Sequence, residues 1–183
     1  MSKKIYVFLA QGFEVTEALA TVDVLRRAKL DTQTVSITSS REVESANGIT
    51  VKADVLFSDI DANSADMLLL PGGMPGTLNL EACEPLTDLV AKFYNEGKFI
   101  AAICAAPSIL GHLGILKGKK ATCYPGFEGE LNGAEISSES VVRDGKVITA
   151  KGMGVSCRFG LEIIKALLGD QTADSVAQAA IIE

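Results

Sequence analysis

The sequence predicts a layered α/β fold on a mostly parallel sheet, and three observations carry that expectation. Short β-rich apolar runs alternate with amphipathic helical segments from end to end. A helix joining two parallel strands must lie on one face of their sheet, so this alternation implies βαβ units. The residues of functional type then collect after three of the strands, at the edge where open parallel sheets bind ligands.

In chain order, strands are expected at Ile5–Ala10, Thr32–Ile37, Met67–Leu70, Phe99–Ile103 and Val147–Ala150. Between the first two, Thr16–Ala28 sets Ala18, Ala20, Val22, Val24 and Leu25 among Glu17, Asp23, Arg26 and Arg27, an apolar stripe with helical spacing. Further helices are expected at Pro85–Glu96, Ala105–Leu113, Ser156–Leu168 and Thr172–Ile182. Gly48–Phe57 alternates in part after the turn-like Ala46-Asn47 and reads as a small accessory hairpin. A second hairpin brackets Arg143-Asp144-Gly145, because Asp-Gly between Val141-Val142 and Val147-Ile148 suits a tight turn. No repeat, low-complexity tract or linker interrupts residues 1–183, which read as one domain.

Composition narrows the function. The 183 residues carry 17 Lys+Arg against 23 Asp+Glu, a net charge of −6, one His, four Cys and 48% hydrophobic content. A chain of this size buries roughly 70% of its unfolded surface and needs neither disulfides nor a structural metal. The basic stretches are only the dipeptides Lys3-Lys4, Arg26-Arg27 and Lys119-Lys120, so nucleic acid is not an expected partner. No apolar run approaches the ~18 residues of a membrane span, and the six apolar residues before Gln11 fall short of the ~7–15 of a secretory signal core. The expectation is a cytoplasmic protein whose cysteines stay reduced. Positions 83, 104, 123 and 157 contain no Cys-x-x-Cys pair, and one His cannot complete a Cys2His2 set, so neither metal nor cofactor is expected.

The sharpest segment is FIAAICAAPSIL, in which a buried strand runs into Cys104 and then, past two alanines, into Pro107 at a helix start. A strand, tight turn and helix with Cys at the bend resembles the nucleophile elbow, where small neighbours such as Ala102, Ala105 and Ala106 relieve a crowded backbone. A thiol at a helix N-terminus also feels the positive dipole end, which predicts the most acidic of the four thiols here. The competing reading is a small, inert core cysteine. Two other segments favour the reactive one. Pro71-Gly72-Gly73-Met74-Pro75-Gly76 follows strand MLLL and allows backbone N–H groups to approach a ligand, although no Gly-Lys-Ser/Thr follows to make a phosphate loop. Gln11 to Glu17 follows the first strand and offers Glu14 and Glu17, three apart on one helical face. Both carboxylates suit the helix dipole; either one, desolvated beside a thiol, would stay protonated and relay a proton.

Other candidates fall away. His112 lies eight residues after Cys104 on the same expected helix, ~12 Å along its axis and too far to pair with the thiol. Cys83 and Cys157 lack the elbow context, while Cys123, in ATCYPGF, is placed to approach the site. Lys151-Gly152-Met153-Gly154 has the look of a dinucleotide fingerprint, but the third glycine position is Cys157.

Four motifs, AAICAAP, LLLPGGMPG, LAQGFEVTEALATVDVLRRA and AKGMGVSCRFGLEII, resemble the ThiJ/PfpI superfamily over nearly the whole chain, closest to its Parkinson-associated deglycase branch. The resemblance implies a flavodoxin-like α/β sandwich, a homodimer and a reactive Cys104. It further implies that Glu17, not Glu14, is the protonated carboxyl against the thiol, and that Gly72, Gly73 and the Ala105 N–H line an oxyanion side. The implied activity is cofactor-free chemistry on reactive dicarbonyls or their early protein adducts, with a redox-sensing or chaperone-like role as the alternative. The chain departs from the family in four places. Ala105 stands where the protease-like branch has His, and Tyr124 precedes Pro125 where some relatives place His. Gly152-Met153-Gly154 replaces Gly-Pro-Gly, and Asn47 aligns with an Arg offered across the dimer interface. The first departure disfavours protease activity; Tyr124 and Met153 join Glu14 as secondary site candidates.

Overall fold

The structure is a computed structural model that describes residues 2–182. In chain order the sheet elements are β1 Lys4–Leu9, β2 Asp31–Ser36, β3 Glu42–Glu44, β4 Thr50–Lys52, β5 Val55–Leu56, β6 Met67–Leu70, β7 Phe99–Ile103, β8 Lys120–Ala121, β9 Glu135–Ile136, β10 Val141–Asp144 and β11 Val147–Ala150. The helices are α1 Val15–Arg27, α2 Gly76–Glu81, α3 Glu84–Asn95, α4 Pro107–His112, α5 Ser156–Leu168 and α6 Asp170–Ala180.

One sheet of order β10-β11-β7-β6-β1-β2-β5 runs through the molecule, parallel throughout except for the antiparallel β10–β11 pair. Period-two alternation of apolar residues makes it the middle of three layers. Ile5, Val7 and Leu9 of β1, with Met67 and Leu69 of β6, pack on one side with Val22 and Leu25 of α1 and Phe159 and Ile163 of α5. Tyr6 and Phe8, with Leu68 and Leu70, pack on the other side with Val90 and Phe93 of α3 and Ile109 and Leu110 of α4. Strands buried on both faces read as continuous apolar runs, which is what YVFLA and MLLL are. This is the flavodoxin-like mixed α/β architecture the resemblance implied. Among the described residues, no helix is long and apolar enough to cross a membrane.

Several expectations shift. The Gly48–Phe57 hairpin is instead split between two sheets: Thr50–Lys52 pairs backward with Glu42–Glu44, and Val55–Leu56 joins the main sheet parallel to β2. Residues 48–57 thus supply only one arm of the hairpin, the other lying upstream in a segment too polar to read as a strand. The helix expected at Ala105–Leu113 begins two residues later, because Cys104 to Ala106 form the elbow turn itself. Helix α2, a six-residue helix that begins at the last glycine of the loop, was not expected, nor was the short parallel β8–β9 pair. The Asp144-Gly145 hairpin forms as read, with Gly145 at φ 61°.

The chain leaves β1 toward β2 and returns on the other side of β1 through β6, β7 and β11. A crevice therefore opens between the loops after β1 and β6, at the carboxyl ends of the strands.

Candidate active site

Four loops meet at that crevice, and Cys104 is its centre. The residue follows β7 directly and holds φ at 66°, in the left-handed region. Non-glycine residues there cost of order 1–2 kcal/mol. Backbone bonds on both sides hold the conformation: the Cys104 N–H donates to the Ala150 carbonyl at 2.9 Å, and its own carbonyl accepts the Tyr124 N–H at 2.8 Å. The Ala106 N–H closes the turn on Ile103 at 3.1 Å. The thiol is partly exposed, unlike Cys123, which is buried. Cys83 precedes α3 and Cys157 lies in the first turn of α5, both away from the elbow.

Glu17 lies one turn into α1 and is 1% exposed. Its carboxyl and the Cys104 thiol share a hydrogen bond, and the Gly72 and Met153 N–H groups donate to it, the former at 2.9 Å. Glu14 faces elsewhere. It is the N-cap of α1, where its carboxylate accepts the Glu17 N–H at 2.6 Å. One acid of the first turn caps the helix, and the other enters the crevice.

Burial pushes Glu17 up to about 7; the hydrogen bonds from Cys104, Gly72 and Met153 oppose that rise, and the Glu14 charge adds to it. Cys104 is pushed up to about 12, by burial first and then by the charge and hydrogen bond of Glu17, while the Gly73 and Ala105 N–H groups favour the thiolate. Each group resists the other's ionisation, so the two titrate as a pair. Burial and the Glu17 charge both weigh against the thiolate, and only the Gly73 and Ala105 N–H groups favour it. This overturns the expectation that a helix dipole makes Cys104 acidic: α4 has only six residues and starts three residues past the thiol.

The glycine loop closes the site by close approach. A Cβ on Gly72 would lie 2.6 Å from the Cys104 Cβ and 2.7 Å from Glu17 Oε2. Gly73, at φ 92°, packs against the Phe13–Glu14 backbone, where a Cβ would collide. The three groups expected on an oxyanion side divide: Gly73 and Ala105 aim their N–H groups at sulfur, whereas the Gly72 N–H is occupied by Glu17.

Tyr124 and Met153 both border the pair, through the backbone bonds already given, and both side chains are exposed. His112 is remote and exposed, its ring nitrogens on Glu81 at 2.5 Å and Glu130 at 2.9 Å. Asn47 is exposed beside the hairpin of β3 and β4. Sequence reasoning missed the backbone braces from Ala150 and Tyr124, for which residue type gives no signal.

A flavodoxin-like sheet with a cysteine on a strand-to-helix elbow, hydrogen-bonded to a buried carboxyl, defines a class of α/β proteins built around a thiol–carboxyl pair. Comparison with known proteins narrows the class. The chain matches the DJ-1/PfpI family over residues 3–166, and it belongs to that family. It is 32% identical over 184 residues to Protein dj-1beta of Drosophila melanogaster, covering 100% of this chain and 98% of that protein. Protein DJ-1 homolog B of Arabidopsis thaliana is 40% identical over 178 residues, 96% of this chain, but the chain spans only 41% of that protein's length. Among solved structures, oxidized Toxoplasma gondii DJ-1 superposes with a TM-score of 0.94 at 31% identity, covering 98% of each chain.

Proposed function

We propose that the protein is a cofactor-independent enzyme, of glyoxalase III or protein deglycase type, that uses Cys104 against reactive dicarbonyls or their early adducts on protein amines. The observation that carries this reading is the Cys104–Glu17 hydrogen bond, with Glu17 raised to about 7 by burial. A group poised there gives and takes a proton at neutral pH.

With a 2-oxoaldehyde, the thiol proton passes to Glu17 and sulfur adds to the aldehyde carbon. The Gly73 and Ala105 N–H groups face the developing charge, and Glu17 protonates the alkoxide to give a hemithioacetal. Glu17 then moves the proton of the former aldehyde carbon to the adjacent carbonyl carbon while the hydroxyl proton passes to that carbonyl's oxygen, leaving a 2-hydroxy thioester. Water cleaves the C–S bond, returning the proton to sulfur and releasing a 2-hydroxy acid. The aldehyde carbon is oxidised as its neighbour is reduced, so no external redox partner enters. The test is lactate formation from methylglyoxal by wild type and Cys104→Ser: loss in the variant supports the reading, and equal rates refute it.

A second reading, a stress-linked redox sensor, has support in the oxidized form of the T. gondii relative. A sensor reacts once where an enzyme turns over. The proposal extends to a cytoplasmic homodimer without nucleic-acid or membrane partners.

A further inference from the structure

Three loops each give the reacting pair a backbone contact. The Gly73 N–H reaches the Cys104 sulfur, the Met153 N–H reaches the Glu17 carboxyl, and the Tyr124 N–H holds the Cys104 carbonyl. These loops also put large apolar side chains into solvent. Met74, next to Gly73, is 45% exposed, Tyr124 is 51% exposed and Met153 is 55% exposed. Exposed apolar side chains scattered singly need no explanation, but these three stand on loops whose backbones all contact one thiol–carboxyl pair, which offers that pair an apolar rim.

Tyr124 is the most informative of them. A Cβ placed on Gly152 would lie 3.3 Å from Tyr124 Cδ2 and 3.7 Å from Glu17 Oε1, so the ring and the carboxyl flank one point. The ring is thus a wall beside the proton relay, and among the described residues no group is bonded to its hydroxyl. A planar aryl group would cover apolar surface now in water and stack on or edge against the Tyr124 ring.

We infer that the site is built for 2-oxoaldehydes bearing an aryl substituent, with Tyr124 as a specificity-determining residue. This rests on the dicarbonyl reading above and adds the substrate class to it. The step is the one already written: phenylglyoxal and water give mandelate, with sulfur–carbon bond formation, proton transfer between adjacent carbons through Glu17, and hydrolysis that restores the thiol.

The experiment compares kcat/KM for phenylglyoxal and methylglyoxal in wild type, Tyr124→Phe and Tyr124→Ala. An aromatic contact changes a rate ratio by roughly three- to tenfold. Wild type and Tyr124→Phe are expected to prefer phenylglyoxal, and Tyr124→Ala to lose that preference by this factor. An unchanged ratio in Tyr124→Ala overturns the inference. Calorimetric affinities for the product acids, mandelate and lactate, provide a readout free of turnover. If wild type turns over neither aldehyde, the dicarbonyl reading fails and these affinities decide: a mandelate preference lost in Tyr124→Ala supports an aryl-binding rim, and equal affinities overturn it. Should Tyr124→Ala instead lower the dimer fraction in sedimentation while the ratio holds, the rim covers a second copy and the inference is overturned.

Discussion

Glu17→Gln tests the acid–thiol pair through folding stability, independently of any substrate. The wild-type carboxyl rises from an ordinary value of 4.5 to about 7 on folding, chiefly because burial penalises its charge. The folded protein therefore holds this proton more tightly than the unfolded chain. A raised carboxyl costs nothing below pH 4.5, where both states are protonated. The cost grows as pH rises from 4.5 through 7 and is complete above it. At ~1.4 kcal/mol per pH unit, the shift corresponds to about 3 kcal/mol at full ionisation. Glutamine removes that cost, since its amide stays neutral, and it keeps an oxygen for the Gly72 and Met153 N–H groups. Urea unfolding of wild type and Glu17→Gln at pH 4, 6 and 8 should show their stability difference moving in the variant's favour by about 3 kcal/mol across the range. Turnover should fall by ~10²–10⁴ in the same variant, the size of a lost proton relay. Parallel stability profiles, or a gap that moves toward wild type, would refute a burial-raised Glu17.

The same pair governs thiol reactivity: without the Glu17 charge against it, Cys104 in Glu17→Gln should alkylate faster above pH 7 than in wild type, by site-resolved mass spectrometry. Gly72→Ala forces a Cβ between Cys104 and Glu17 and should cost roughly 1–3 kcal/mol of stability in denaturant melts, with loss of turnover. His112, raised by hydrogen bonds to Glu81 and then Glu130, contributes stability that is present below about pH 6.5 and lost as pH rises through its folded value; His112→Gln should remove that dependence, an exposed contribution of about 1 kcal/mol or less in pH-scanned urea melts. Sedimentation at micromolar concentration should show a dimer, and a single 19.2 kDa species would refute that assembly.

The sequence made the sheet legible where both faces are buried. Met67–Leu70, Phe99–Ile103 and Val147–Ala150 form with the bounds their apolar runs predict. Legibility failed where a strand is exposed and short: Glu42–Glu44 is polar on both flanks of Val43 and acquires its strand conformation only by pairing with Thr50–Lys52. At the site, Cys104 was legible from its strand-to-helix context, and the choice of Glu17 came from the family motif. Spacing alone left Glu14 equal to it, because a cap and a crevice acid both belong in a first turn. The structure separates them by hydrogen bonding, to the Glu17 N–H in one case and to Cys104 in the other.

The Cys104 thiol, pushed up rather than down, shows how a motif read correctly can carry a wrong expectation about ionisation. The elbow does not present Cys104 to a helix dipole. It turns the chain by a left-handed residue, and Ala150 and Tyr124 bind its backbone from two directions. Strain of that kind survives only where the surroundings over-determine it. The gain is position, because the sulfur is fixed against a carboxyl that burial has brought to about 7. Two acids in contact cannot both ionise cheaply, so the charge of either one raises the cost of ionising the other. Ionisation here belongs to the pair, and a variant that alters either partner alters the ionisation of the other.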